Sequence, residues 1–237
     1  MLSPRTLTVG SYNVHKGVGI DRRRDPHRIL SVIRELEVEL LALQEVDRRF
    51  GDRRGVLDLD ALAEATGLTP VPLADRKGAL AHGWHGNLLL ARGAEVLDVR
   101  ALDLPGFEPR GAILADLRFG DQPLRVISTH LGLLKGSRLA QARHLSDEID
   151  ATIPTLLMGD LNEWRRGPGC SLMPLRQHEG ASMQMAASFP ANRPFLALDR
   201  IIGAGRAEVL DFAPHVSPLA RLASDHLPVR ARVRLGP

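Results

Sequence analysis

Side chains able to move protons, hold a metal or meet a phosphate stand at the boundaries of short apolar runs in this chain. Leu7-Thr8-Val9-Gly10-Ser11-Tyr12 leads to Asn13, Leu40-Leu41-Ala42-Leu43-Gln44 to Glu45, and Leu124-Arg125-Val126-Ile127-Ser128-Thr129 to His130. Thr155-Leu156-Leu157-Met158-Gly159 leads to Asp160 and Asn162, Asp199 lies inside Leu196-Ala197-Leu198-Asp199-Arg200-Ile201-Ile202, and Asp225-His226 begins the last run. Taken singly, these are ordinary turn amides, strand exits and structural histidines. Their recurrence at strand boundaries points to one site, because strand ends are where a rigid sheet delivers distant side chains to a ligand. Carboxylate and amide donors without thiolates suit a hard cation, Mg²⁺ or Mn²⁺, held by one or two carboxylates and retaining several waters. Such a set fits phosphate ester chemistry. The cation neutralises a nonbridging oxygen, a carboxylate orients or deprotonates an attacking water, and a histidine paired with an aspartate meets the phosphoryl group as charge develops.

The elements that must position these residues are legible from periodicity. Strands are expected over 7–14, 40–44, 88–91, 96–102, 112–119, 124–129, 155–158, 196–202, 207–212 and 227–233. The clearest helix follows Asp25-Pro26, a cap with proline at the first helical position, and sets Ile29, Leu30, Ile33 and Leu36 on one face. A second is expected from Ser137 to about Asp150, with Leu139, Ala142, Leu145 and Ile149 inward and Arg138, Gln141 and His144 on the opposite face. Residues 97–119 read as a hairpin-like pair. That pair, and other consecutive strands with no helix between them, exclude a simple all-parallel doubly wound sheet. Two mixed sheets packed face to face with helices outside satisfy both the strand count and the length.

Composition narrows the class further. With 237 residues, 44% hydrophobic and 25% charged, the chain has the make-up of a globular protein rather than a disordered one. A lone cysteine excludes an internal disulfide framework, and no Cys/His cluster has structural zinc spacing. No run approaches the ~20 apolar residues of a membrane span, and the first residues lack the pattern of a signal peptide, so a cytoplasmic protein is expected. The absence of repeats, low-complexity tracts and composition shifts makes residues 1–237 one expected domain. The formal charge of +3 is carried by 28 arginines against three lysines, and arginine suits bidentate phosphate contacts. At 4% aromatic, there is little material for stacking on single-stranded nucleic acid.

A family resemblance emerges from the motifs in order. Ser11-Tyr12-Asn13-Val14-His15-Lys16-Gly17, Leu43-Gln44-Glu45-Val46-Asp47, Gly86-Asn87-Leu88-Leu89-Leu90, Pro109-Arg110-Gly111-Ala112 and Ser128-Thr129-His130-Leu131 come first. Gly159-Asp160-Leu161-Asn162-Glu163-Trp164, Leu198-Asp199-Arg200-Ile201 and Ser224-Asp225-His226-Leu227-Pro228 follow. From about residue 6 to 234 the chain resembles the endonuclease/exonuclease/phosphatase superfamily. Each tetrapeptide is weak and the joint pattern is specific. The resemblance implies a four-layer αββα sandwich, in agreement with the strand reading. It also implies a divalent-metal-dependent phosphoesterase that hydrolyses a phosphodiester or a phosphomonoester. Glu45 resembles the principal metal ligand, with Asn13 and Asp225 close to the metal and its waters. Asp160 resembles the carboxylate that aligns the nucleophilic water, and Asn162 the amide that orients the phosphate or that water. His226 resembles the histidine at the scissile phosphate, Asp199 its orienting partner, and His130 a second phosphate-side histidine and proton donor to the leaving group. Arg110 occupies a position that meets a phosphate in some family nucleases and is mainly structural in others.

Substrate class follows from what surrounds the motifs. No long insertion resembles the DNA-gripping loops of the family's repair enzymes, and aromatic wedges for a duplex are few. The His15-Lys16-Gly17 and Asn162-Glu163-Trp164 variants are similar to a bacterial subgroup. Lys16, Arg48, Arg49, Arg165 and Arg166 lie on loops leaving the catalytic strands and are candidate anion holders, with Asp47 and Asp52 offsetting part of the charge. A small phosphodiester or lipid head group is the favoured substrate, with nucleic acid, and hence a nuclease, as the alternative. A catalytically idle binder of phosphorylated ligands is a reading of another class, opposed by the intact set of catalytic positions. A monomer is expected.

Overall fold

The computed structural model describes residues 5–48, 51–74 and 76–236. Among them the strands are β1 (Arg5–Asn13), β2 (Leu40–Gln44), β3 (Thr69–Pro70), β4 (Leu88–Ala91), β5 (Glu95–Leu104) and β6 (Arg110–Phe119), followed by β7 (Gln122–His130), β8 (Thr155–Asp160), β9 (Ser182–Met183), β10 (Asp199–Ala204), β11 (Ala207–Pro214) and β12 (Val229–Leu235). The α-helices are α1 (Pro26–Leu36), α2 (Leu59–Thr66), α3 (Lys135–Ser146) and α4 (Ala220–Ala223). Two six-stranded mixed sheets result, in the orders β11-β12-β1-β2-β4-β3 and β5-β6-β7-β8-β10-β9.

The alternation within each central strand explains the layers. In β2, Leu40 and Ala42 join the core between the sheets, while Leu41 and Leu43 face outward onto Ile29, Val32, Ile33 and Leu36 of α1. In β8, Leu156 and Met158 enter the same central core and Leu157 packs outward with Ala142 and Leu145 of α3. A strand buried on both faces needs apolar residues at every position, which is why β2 reads as an uninterrupted apolar run. Helix, sheet, sheet and helix therefore stack as four layers. The chain is an α/β sandwich of the expected kind.

Differences from the sequence reading fall where packing overrides periodicity. Helix α3 ends at Ser146 rather than near Asp150. Arg138 and Gln141, expected on its outer face, are buried beside Ala142 and Leu145, whereas His144 is exposed. Positions 138, 141, 142 and 145 form one helical face, so the buried stripe carries two polar side chains that the apolar pattern could not claim. Their polar atoms are satisfied by loops. Gln141 accepts from the Gly132 N–H at 2.8 Å and donates to the Pro105 carbonyl at 3.0 Å, while Arg138 donates to the Gly132 carbonyl at 3.2 Å. Helices α2 and α4 and the two-residue strands β3 and β9 are additions to the expected elements.

Register carries the polar residues to one edge. Parallel pairing of β7 with β8 sets His130 opposite Asp160, and antiparallel pairing of β10 with β8 sets Asp199 opposite Asp160. In the facing sheet, parallel β1 and β2 set Asn13 opposite Gln44, one residue before Glu45. Asp199 thus begins β10 instead of lying inside a strand, and His226 precedes β12; their strands run against β8 and β1, so their amino ends meet the carboxyl ends of the others.

Candidate active site

Asp160 is the hub of the polar edge. Its side chain is 2% exposed, and Oδ2 accepts from Asn13 Nδ2 at 3.0 Å, across the gap between the sheets. Oδ1 accepts from the Asn162 backbone N–H at 3.0 Å. His130 Nε2 and His226 Nε2 stand 3.4 Å and 3.6 Å from Oδ2. Burial alone would raise the pKa of this carboxyl, but the two imidazoles, the Asn13 amide and the Asn162 N–H outweigh it and hold the pKa below the ordinary aspartate value. Its placement depends on Gly159. A Cβ there would lie 1.8 Å from the Thr129 carbonyl oxygen, so β7 and β8 approach closely only because position 159 has no side chain.

The histidines are tuned in opposite directions. His226 Nδ1 lies 2.9 Å from Asp199 Oδ2, and Ser188 donates its hydroxyl to the same carboxylate oxygen. Burial works against a charged His226 ring, yet Asp199 and Asp160 prevail and push its pKa up to about 10. Burial instead pulls His130 down to about 4; Asp160 opposes the fall and Arg110 adds to it. At neutral pH one ring is an imidazolium clamped between carboxylates and the other is neutral.

Glu45 and Asn162 leave their strands through left-handed backbone, at φ 57° and 51°. Glu45 Oε1 is 3.4 Å from Asn13 Nδ2, and Oε2 accepts from the Lys16 ammonium. Asn13 therefore presents its amide N–H groups to both carboxylates. Asn162 donates from Nδ2 to the Leu131 carbonyl at 2.9 Å, which ties the β8 exit to the β7 exit. Asp225 stands apart from this contact set, with Ser224 Oγ at 3.4 Å and His15 Nδ1 at 3.7 Å from its Oδ1.

Beside the hub opens a cavity of about 300 Å³ lined by Lys16, Glu45, Asp47, Arg53, His85, Gly86, Pro109, Arg110 and His130. Arg110 is fixed there by Glu108 at 2.9 Å. Arg53 and His85 were missing from the sequence reading, since neither ends an apolar run; an arginine on the same loop as Arg48 was the signal available. Asp47 is a buried member of the wall rather than a surface counter-charge. Arg165 and Arg166 are outside this lining. Arg165 is held by Glu163 Oε1 at 3.3 Å and lies over the Trp164 ring at 4.3 Å. Arg48 is exposed, and Arg49 is outside the described residues.

Asp160, Asp199 and His226 offer ligand atoms that all lie within 4.8 Å of one another, so this buried group could hold a metal ion. The oxygens of Glu45 and Asp160, bridged by Asn13, form a second convergent set.

The model of the Endonuclease/Exonuclease/phosphatase family matches residues 10–226. The chain belongs to that family. Its members are hydrolases of phosphoesters, and the matched residues include the polar edge built here from β1, β2, β7, β8 and β10. YbhP of Escherichia coli strain K12 is 28% identical over 98% of this chain and 96% of its own length. The solved endonuclease/exonuclease/phosphatase from Beutenbergia cavernae DSM 12333 is 25% identical, with a TM-score of 0.72 over 98% of this chain and 72% of that one. The Bacteroides thetaiotaomicron VPI-5482 mannosyl-6-phosphatase Bt3783 shares the fold at 16% identity, with a TM-score of 0.71 over 96% of this chain and 99% of its own.

Proposed function

We propose that this chain is a divalent-metal-dependent phosphoesterase that hydrolyses a small phosphodiester or a lipid head group by attack of water on phosphorus. The observation that carries the reading is the placement of Asp160: a buried carboxylate fixed by Asn13 and the Asn162 N–H, with the His130 and His226 rings 3.4 Å and 3.6 Å from the same oxygen. A carboxylate so held can take the proton of an attacking water without rearranging. His226 directs its Nε2–H to the same point, where it meets the negative charge that grows on a phosphoryl oxygen, and Asp199 keeps the ring oriented and charged. As the water oxygen bonds to phosphorus, the P–O bond to the leaving alcohol breaks and the leaving oxygen takes a proton from solvent; His130, which burial keeps neutral, is a hydrogen-bond donor there and not the proton donor that the resemblance implies. Lys16 and Arg110 give the neighbouring cavity the cationic wall that a phosphate requires.

The donor set fits Mg²⁺ or Mn²⁺, since Glu45, Asp160 and Asn13 offer only carboxylate and amide groups. Asp225 is the nearest further carboxylate in sequence to His226 and is the candidate water-side ligand. His226 is the poorer ligand of the buried trio, because both of its nitrogens face carboxylates, which favour the protonated ring and push its pKa up to about 10. When bound, the cation supplies Lewis-acid neutralisation of a nonbridging oxygen.

Incubation of the purified chain with Mg²⁺ and bis(p-nitrophenyl) phosphate, glycerophosphodiesters, inositol phosphates, RNA and nicked DNA tests the reading. Metal-dependent cleavage of the small diesters or head groups is the expected result. Full turnover in excess chelator overturns the metal assignment, and failure on every ester makes the chain a phosphate-ligand binder.

A further inference from the structure

Large apolar side chains gather on the loops around the candidate active site. Phe107 is 92% exposed, Phe195 69%, Leu133 66%, Leu134 53% and Trp164 45%, which makes five of the nine exposed large hydrophobics among the described residues. All five lie on loops 105–109, 131–134, 161–169 and 189–198, which enter or leave β6, β7, β8 and β10 at the catalytic edge.

These loops are braced as one rim. The Leu133 N–H donates to Glu108 Oε1 at 2.7 Å, joining the Phe107 loop to the Leu133 loop. Arg138 donates to the Gly132 carbonyl at 3.2 Å and to Glu163 at 3.4 Å, joining the Leu133 loop to the Trp164 loop. The Leu161 N–H donates to the Leu198 carbonyl at 2.9 Å, joining the Trp164 loop to the Phe195 loop. The apolar side chains are therefore held out by a fixed frame, not left exposed by slack.

The charges on this rim have one sign at the surface. Lys135, Arg166 and Arg193 are exposed, and Arg165 rests its guanidinium on Trp164. The two acids of these loops are withdrawn: Glu163 is buried under Arg138 and Ser171, and Glu108 is spent on Arg110 and the Leu133 N–H. Phe, Trp and Leu projecting between lysines and arginines match the interfacial layer of a bilayer with anionic head groups, where aromatic rings sit at head-group depth and cations meet lipid phosphates.

We propose that this rim docks the protein on the surface of an anionic phospholipid bilayer, with the catalytic edge turned toward the head groups. Docking requires no turnover, so it stands or falls separately from the hydrolytic reading.

The test is flotation of the protein with phosphatidylcholine vesicles that contain or lack phosphatidylglycerol, across a salt series. Binding to the anionic vesicles that weakens as salt shortens the Debye length, and little binding to phosphatidylcholine alone, is the expected result. Phe107→Asp and Phe195→Asp should each lower the partition coefficient roughly tenfold or more. Brominated lipid should quench Trp164, a signal absent from Trp164→Phe. Retained binding in both aspartate variants means adsorption by charge alone and overturns the rim. No binding to anionic vesicles at low salt, or equal binding to neutral ones, also overturns it. Concentration-dependent self-association that Phe107→Asp abolishes assigns the rim to a protein contact instead. Hydrolysis of bis(p-nitrophenyl) phosphate by the same variants, free of lipid, reports on the catalytic reading independently.

Discussion

At the scale of single residues, the site works by setting like groups in unlike surroundings. His130 and His226 both stand within 4 Å of one oxygen of Asp160, yet one is driven to about 4 and the other to about 10. Asp199 touches His226 and not His130, whereas burial and the Arg110 charge lower His130. Asp199→Asn should therefore lower kcat by ~10²-fold or more with a smaller effect on KM, and leave the fold intact, because the amide keeps the hydrogen bond but not the charge. Steady-state kinetics with a soluble diester check this, and an unchanged kcat removes Asp199 from the positioning role. Glu45→Gln should abolish nearly all metal-dependent turnover while circular dichroism stays unchanged, since the substitution deletes a charged oxygen at the place where Asn13 and Lys16 converge.

At the scale of elements, the exit of β8 is the part on which geometry depends most. Gly159→Ala forces a methyl group against the Thr129 carbonyl, and the expected loss is ~3 kcal/mol or more of stability together with displacement of Asp160, read by urea unfolding and by activity. The loop beyond β8 is anchored by Glu163. Burial raises the pKa of that carboxyl, but the Ser171 hydroxyl and N–H, the Arg165 N–H and the Arg138 charge outweigh it and hold the pKa at about 2. A depressed carboxyl contributes stability that is present above its unfolded value near 4.5 and is lost as pH falls through about 2. The wild type should exceed Glu163→Gln by ~3 kcal/mol at pH 7, with the gap closing between about pH 4.5 and pH 2 in equilibrium denaturation. A gap independent of pH would mean that shape, not charge, anchors the loop.

At the scale of the whole molecule, the two sheets hold their polar edges together only when both are formed. Asn13 of the first sheet bonds Asp160 of the second, so a cation bound by this edge binds the folded chain alone. Mg²⁺ or Mn²⁺ should then raise Tm, by the equivalent of ~2.7 kcal/mol at a hundredfold excess over Kd, and Glu45→Gln should abolish the rise. Scanning calorimetry with and without chelator checks it. The compact cavity also predicts a shallow dependence of ligand affinity on salt, whereas a duplex neutralised at Z phosphates would give a log-log slope near −0.9Z. A steep slope with efficient duplex cleavage would favour a nuclease.

The order of the layers and the residue types that meet at the polar edge follow from local pattern. Strands buried on both faces read as apolar runs, and β1, β2, β7 and β8 all end at the same edge, where Asn13, Glu45, His130 and Asp160 stand as the polar residues at or just past the run; they were legible for that reason. Local pattern alone could not assign the partners; the family resemblance paired Asp199 with His226, and the structure sets them 2.9 Å apart. Whether His226 is cationic depends on Asp199 and Asp160, brought beside it by strand pairing between residues 27 and 66 positions away. Nor could it place Arg138 and Gln141, whose burial depends on loop carbonyls and a carboxylate from elsewhere in the chain. Arg53 and Asp47 join the cavity wall because the loop after β2 folds back beside Gly86, and the left-handed turn at Glu45 begins that path. Residue type is a property of the sequence, but pKa and ligand geometry are properties of distance, and only the packed sheets fix distance.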